Sequence, residues 1–287
     1  MPSVRDLRDH IKSLKNTQQI TKAMKQVAAA KIRRAELVQR QARPYAEALS
    51  EMLHDLMAAV GSIDHPFMRP GKEGAPVGVI LMTADKGLAG AFNSNVVRAG
   101  ETFVRERGGE VVYYPVGNKA RNAAKRTRFE TLEAWSLSAH AKLDTAREVA
   151  ARVTDDFTAG KVSQVVLVAP KFVSMMTQRP ETRALVPIEA EKRGDDRSGP
   201  RAQVEFAPSP EAVLTRLLPK YLEFSLYSAM LETDAAFFAA QLVAMTNATD
   251  NAGKLLDDLT LAMNKARQAA ITKEMLEIVG GAEAQAG

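Results

Sequence analysis

The C-terminal stretch LLDDLTLAMNKARQAAITKEMLEIVGG, residues 255–281, decides how this chain is read. Leu255, Leu259, Met263 and Ala266 recur at steps of three and four. The rhythm extends back through Ala252, Met245, Leu242, Phe238, Ala235, Leu231, Phe224, Tyr221, Leu217 and Leu214. That spacing holds one apolar stripe on the face of an α-helix. It predicts a single helix from Pro210 to about Val279, bent near Pro219 and capped by Gly280 and Gly281. Seventy residues at ~1.5 Å each make a rod on the order of 100 Å. A chain of 287 residues cannot bury such a rod along its length. It must pair, protrude or enter another protein.

A second seam starts near the N-terminus. Ser3 and Asp6 have the spacing of a capping pair. Val4, Leu7, Ile11, Leu14, Thr21, Met24, Ala28, Ala35, Val38, Ala42, Tyr45, Leu49, Met52 and Leu56 follow at heptad-like steps, with Pro44 a predicted kink. Two long seams at opposite ends of one chain predict an antiparallel coiled coil. The C-terminal helix is the longer, so its last turns overhang.

Between them the period changes. VGVILMT (77–83), EVVYYPVG (110–117) and QVVLVAPKF (164–172) are β-branched runs, separated by helical patterns near 93–107, 117–126 and 140–158. Alternating strands and helices predict a parallel α/β sheet. SMMTQRPETRALVPIEA (174–190) reads as a return hairpin at one edge, and EKRGDDRSGPR (191–201) as a mobile polar segment. The predicted class is α/β: a long antiparallel coiled coil of the terminal helices flanking a central parallel-sheet, Rossmann-like domain. The boundaries are 1–60 for the N-terminal helix, 61–76 for a Gly/Pro-rich linker, 77–205 for the α/β domain and 210–283 for the C-terminal helix.

The chain has no Cys, which removes disulfides, thiolate metal sites and cysteine nucleophiles. No apolar run approaches the roughly 18 residues of a membrane span. Asp6 and Asp9 sit where a leader peptide would be apolar or acid-free. His10, His54, His65 and His140 are scattered without metal spacing. Asp257 and Asp258 read as a solvated helix face. TADKGLAGAFNSN (83–95) sits at a strand-to-helix turn and suggests a phosphate cradle, but its spacing fits neither common phosphate motif. A tight turn with Gly87 and Gly90 supplying backbone freedom is the simpler expectation. No catalytic residue, cofactor site or metal site is predicted.

The net charge is +5, and residues 1–43 hold eleven Lys or Arg against three Asp or Glu. NKARNAAKRTR (118–128) is a second basic patch. Charge alone permits a basic coiled coil on nucleic acid as the alternative function. Against it, 16–44 lacks stacking aromatics and shows no groove-reading module. TKAMKQVAAAKIRRAEL (21–37) instead interleaves cations with alanines, which let another surface approach closely.

NTQQITKAMKQVAAAKIRRAE near the start, DKGLAGAFNSN in the middle and NATDNAGKLLDDLTLAMNKARQAAITKEMLEIVGGA at the end closely resemble the gamma subunit of F-type ATP synthase. The resemblance runs the whole chain in order. It implies a non-catalytic central stalk, turning inside a hexamer of alpha and beta subunits and seated on a membrane c-ring beside an epsilon subunit. It implies a peripheral location on the cytoplasmic face of a bacterial inner membrane, and no nucleic acid. Met24, Lys31, Arg33, Arg34, Arg267, Gln268, Lys273 and Glu274 are the expected partner contacts; of these, Arg267 and Gln268 match the family's Arg-Gln pair, where the C-terminal helix meets one beta subunit. Ala89 stands where the family usually has Cys, and Gln26 where Met is frequent. Phe237 and Phe238 add apolar bulk where relatives are more polar. The cysteine pair of the chloroplast type is absent.

Overall fold

The computed structural model describes residues 3–60, 65–137, 142–188 and 209–286. His140, the 191–201 segment and the first residues of the 61–76 linker lie outside them. Helix α1 (Val4–Val60) opens as the capping pair requires. Asp6 N–H donates to Ser3 Oγ (3.2 Å), and Ser3 N–H donates back to Asp6 Oδ2 (3.1 Å). Those bonds hold the Asp6 carboxyl below its usual range.

The chain then builds β1 (Val77–Met82), α2 (Phe92–Arg107), β2 (Val111–Val116), α3 (Asn118–Ala124), β3 (Glu130–Thr131), α4 (Lys142–Thr158), β4 (Gln164–Phe172) and β5 (Gln178–Val186). Helix α5 (Pro210–Ala286) closes it. The sheet order is β3-β2-β1-β4-β5. All neighbours are parallel except β4 and β5, which form the antiparallel edge pair expected of a return hairpin. β1 and β2 are buried on both faces, so their sequences run apolar without alternation. Only β3, two residues long, gave no signal in the sequence.

Two compact units result. One comprises residues up to Ala29 and from Gln241 onward; the other comprises Ala30–Ala240. Within the larger unit the sheet is sandwiched. Val96 and Val104 of α2, with Ala120 and Ala124 of α3, pack on Val79, Leu81, Tyr113 and Val166. On the opposite face, α4 (Val149, Val153, Phe157) and α5 (Leu222, Leu226, Ala229, Met230) cover Ile80, Met82, Tyr114 and Leu167. Leu49, Leu53 and Leu56 of α1 meet Leu214, Leu217 and Leu218 of α5 in a separate cluster.

Several seam residues fall one place from expectation. Leu53 and Leu256 are buried, whereas Met52 and Leu255 are about half exposed, and Ile32 is buried though it lay off the counted seam. A strict heptad count drifts ~20° per repeat on a helix of 3.6 residues per turn, enough to turn the stripe onto an adjacent residue. The expected C-cap at Gly280–Gly281 is also corrected: α5 continues through both to Ala286. Glycine tolerates helical dihedrals at a cost of ~1 kcal/mol, and the alanines and glutamate that follow are good helix formers.

A carboxylate is built into the sandwich. Asp156 of α4 is buried and accepts from Tyr114 Oη (2.9 Å), Arg152 Nε (2.7 Å) and Lys161 Nζ (2.9 Å). Burial alone raises its pKa. The bonds from Lys161, Arg152 and Tyr114 outweigh burial and hold it below the usual carboxylate range. Asp156→Ala leaves the Tyr114 hydroxyl orphaned under the sheet. It is expected to cost about 2–4 kcal/mol of stability at pH 7. Because the folded pKa is depressed, that difference is full above the unfolded carboxylate value of about 4 and shrinks as pH falls through the folded one. Urea midpoints of wild type and variant from pH 7 to pH 3 check both the size and the convergence.

Candidate functional site

In the smaller unit, α1 and α5 lie antiparallel. Thr249 Oγ1 stands 2.9 Å from Thr21 Oγ1, and a β-carbon at Gly253 would come 3.1 Å from Gln18 Nε2. Leu7, Ile11 and Ala28 are the buried α1 side chains, matched by Met245, Ala252 and Leu256 of α5. Small residues and a hydroxyl pair bring the helices close with little apolar bulk. Counting back from Thr21 to Val4, the α1 partner runs out opposite about Ala266. Beyond that point every residue from Arg267 to Gly280 is exposed. Leu276 and Ile278 are each 68% exposed, so α5 carries its apolar side chains bare.

The residues expected to contact partners are placed as follows. Met24 is half-buried against the helix pair, beside a groove that Lys22, Lys25 and Gln26 line. Arg267, Gln268, Lys273 and Glu274 are exposed on the bare end of α5. Lys273 pairs loosely with Glu277 (3.7 Å), and the Gln268 carbonyl accepts from Thr272 Oγ1 (3.0 Å). In the larger unit Arg33 and Arg34 are exposed, while Lys31 places Nζ 5.3 Å above the Phe238 ring. Asp257 and Asp258 are exposed, as a solvated face requires.

The TADKGLAGAFNSN turn closes on itself. In a sheet where β1 leads to β2 on one side and has β4 on the other, a ligand crevice opens at the carboxyl ends of β1 and β4. Phe92, Phe172 and Phe237 fill that space, with Ala84, Ala89 and Ala236. Asp85 accepts the Asn118 N–H at the start of α3 (2.8 Å) and the Ser136 hydroxyl (2.8 Å), taking the place an anion would occupy. Asn93 bonds Ala84 N–H (3.0 Å) and the Lys86 carbonyl (3.0 Å). Of the two glycines expected to supply freedom, only Gly90 has positive φ (57°); the other left-handed residue is Leu88 (φ 62°), not Gly87. Gly117 (φ 97°) lies so close to the Thr83 carbonyl that a β-carbon would collide with it. Among the described residues no cluster could hold a metal ion, and no helix is long and apolar enough to cross a membrane.

Sequence reasoning passed over one group. Glu232 and Asp234 of α5 are carboxylates in a largely buried turn. Glu232 accepts the Phe172 N–H (3.0 Å), and Asp234 pairs with Lys142 Nζ (2.8 Å). Burial pushes both pKa values up, and these partners pull them part of the way back. Phe237 stands edge-on to Phe92, ring centroids 5.8 Å apart, and against Phe238 at 5.3 Å. The apolar bulk noted at 237–238 therefore seals the crevice.

The exposure gradient along α5 sets an expectation for its dynamics. A helix end without tertiary contacts opens locally at little cost. In hydrogen exchange on the purified chain, amides of 268–286 should exchange orders of magnitude faster than those of 222–240. Equal protection would mean that the end of α5 is covered.

The comparisons with known proteins agree with one another. A family model described as ATP synthase matches residues 3–285. An ATP synthase gamma chain of Pelotomaculum thermopropionicum is 44% identical over 286 residues, spanning 99% of each chain. One from Heliobacterium modesticaldum is 44% identical over 291 residues at the same coverage. Among solved structures, a chain of the Euglena gracilis mitochondrial ATP synthase (OSCP/F1/c-ring) superposes with TM-score 0.67 at 19% identity, covering 98% of this chain and 94% of that one. A chain of the Tetrahymena thermophila central stalk/c-ring structure gives 0.60 at 22% identity, covering 80% and 99%.

Proposed function

The chain belongs to the ATP synthase gamma-chain family, and from that premise we propose that it is the rotor shaft coupling proton flow through a membrane ring to ATP synthesis and hydrolysis in an alpha–beta hexamer. The observation that carries this reading is the bare end of α5. An exposed helix with Ile271, Met275, Leu276, Ile278 and Val279 bare along nearly half of its circumference needs a partner surface around it. A hexamer of catalytic subunits supplies one; the sheet domain then faces the ring and an epsilon subunit. The complex sits peripherally on the cytoplasmic face of a bacterial inner membrane.

The chain's own part in the chemistry is mechanical. Within its turn at 83–95, Asn93 is engaged by Ala84 and Lys86 and Asp85 by Asn118, which supports a reading in which the turn is structural. The shaft is asymmetric: one face of the coiled coil is α1, the other α5, and past about Ala266 only α5 remains. Three identical catalytic sites around such a shaft meet three different surfaces. That difference is a coupling free energy between ring and sites. The half-buried Ala29, the exposed Ala30 and the exposed cations of α1 suit the sliding contact. Large interlocking side chains would settle into discrete wells, whereas small ones with screened charge keep barriers low.

Met24 makes no fixed ion pair on this surface. Met24→Lys adds a cation that can pair with a carboxylate in one rotary position only. Proton pumping per ATP in inverted membrane vesicles should fall, most strongly at low salt. An unchanged ratio would remove Met24 from the contact face.

Arg267 and Gln268 test the sleeve itself. A guanidinium fork suits a carboxylate, and the neighbouring amide both donates and accepts. Hydrogen bonds to charged groups contribute roughly 1.5–3 kcal/mol when sheltered. Arg267→Ala/Gln268→Ala should slow ATP turnover of the assembled complex several-fold or more and weaken assembly. The fold of the chain itself is expected to be unchanged, because alanine favours the helix. ATPase rate and subunit stoichiometry of purified complexes decide it; full assembly with wild-type turnover would falsify the contact.

A further inference from the structure

Over the sheet, Leu222, Leu226, Ala229 and Met230 form the buried stripe of α5 and, at ~100° per residue, fall within about 100° of one another. The other contacts of this stretch lie at the surface: Arg147 Nε is 3.7 Å from Glu223, Arg183 donates to the Ser225 carbonyl (3.2 Å), and the Phe224 ring is tilted against the half-exposed Tyr45. Solvated contacts of this kind resist rolling weakly, and a small turn exchanges one set of apolar contacts on the stripe for a neighbouring one.

The next seven residues are held differently. Glu232 takes the backbone N–H of Phe172 at the end of β4 (3.0 Å). Asp234 takes Lys142 Nζ at the start of α4 (2.8 Å), with only 25% and 20% of the two side chains exposed. Phe237 is buried edge-on to Phe92 of α2. Phe238 lies under Lys31 of α1, Nζ 5.3 Å from the ring centroid. Taking Glu232 as zero, the other three stand near 140° (Phe237), 200° (Asp234) and 240° (Phe238). The helix is gripped by four different elements over more than half of its circumference. Two of the grips are hydrogen-bonded carboxylates, which are directional; the third is an aromatic ring wedged in a filled crevice. No rotation of α5 about its axis keeps all four.

We infer that residues 232–238 form a torsional clamp that keys α5 to the sheet domain, with Glu232, Asp234, Phe237 and Phe238 as positioning residues for torque transfer. The inference rests on the shaft reading above. A shaft that rolled in its mount would lose angle between ring and hexamer without any bond to nucleotide being affected. The clamp occupies the last turns of α5 in the larger unit.

The test uses the assembled complex, hexamer fixed to a surface and stalled. A bead is carried on the sheet domain through Glu101→Cys in α2, the chain having no other cysteine. Angular fluctuation of the bead reports torsional stiffness. The triple variant Asp234→Asn/Phe237→Ala/Phe238→Ala should raise the angular variance about twofold or more, since discrete packed contacts are replaced by looser ones. Phe237→Leu/Phe238→Leu with Asp234 retained should return it close to wild type. Leu226→Ala removes bulk from the stripe; it should lower thermal stability and leave the variance unchanged. If the triple variant does not assemble, Phe238→Ala alone, with its half-buried ring, carries the test and should show a smaller rise. Unchanged variance in an assembled clamp variant overturns the clamp, as does an equal rise in Leu226→Ala. A wild-type complex in which the bead never turns under ATP would overturn the shaft reading instead.

Discussion

Everything in this molecule is arranged around a helix too long for its own chain to cover. Helix α5 has 77 residues and α1 has 57, so no register of the two conceals both. The chain resolves this by changing what α5 touches along its length. Near Leu214 it meets the leucines of α1, and near Leu222 the sheet. Around Asp234 it is enclosed, at Thr249 it pairs with α1 through a hydroxyl, and past Ala266 it has nothing. Side-chain exposure rises from 0% at Leu222 to 68% at Ile278 on one unbroken helix. Helical hydrogen bonds are satisfied within the segment, so only the side chains need a partner from outside.

The sheet domain is built for stiffness in a way that suits a mount. Its central strands are buried on both faces, and Asp156, a carboxylate enclosed beneath the sheet, is triply bonded. Close-packed interiors transmit strain instead of absorbing it. The coiled coil is the opposite case. Thr21, Ala28, Thr249, Ala252 and Gly253 bring two backbones together with little apolar bulk, leaving the pair slender.

Much of this was legible in the sequence because it depends on local period. The two helical seams, the three central strands and the antiparallel edge pair follow from where apolar residues repeat. The differences have physical causes. A fixed step lands on Leu255 and Met52, whereas Leu256 and Leu53 are the buried residues, because adjacent apolar residues are separated only by accumulated helical drift. Gly280 and Gly281 look like a stop because glycine usually is one, yet nothing beyond them opposes the helix. Glu232 and Asp234 could not be read at all. Their partners, Phe172 and Lys142, lie far away in sequence, and one of those partners is a backbone N–H with no side-chain identity to notice. The resemblance supplied the surfaces of Met24, Arg267 and Gln268; their exposure alone would not have distinguished them from other solvated positions.

The filled crevice above β1 and β4 has a structural consequence. Sheets of this topology commonly open a pocket there for a phosphate-bearing ligand, and here Phe237 and Asp85 occupy it from within. With that space taken by the chain's own side chains, a ligand that enters this crevice in other sheets of the same topology finds no room here, and the crevice works instead as packing between α5 and the sheet.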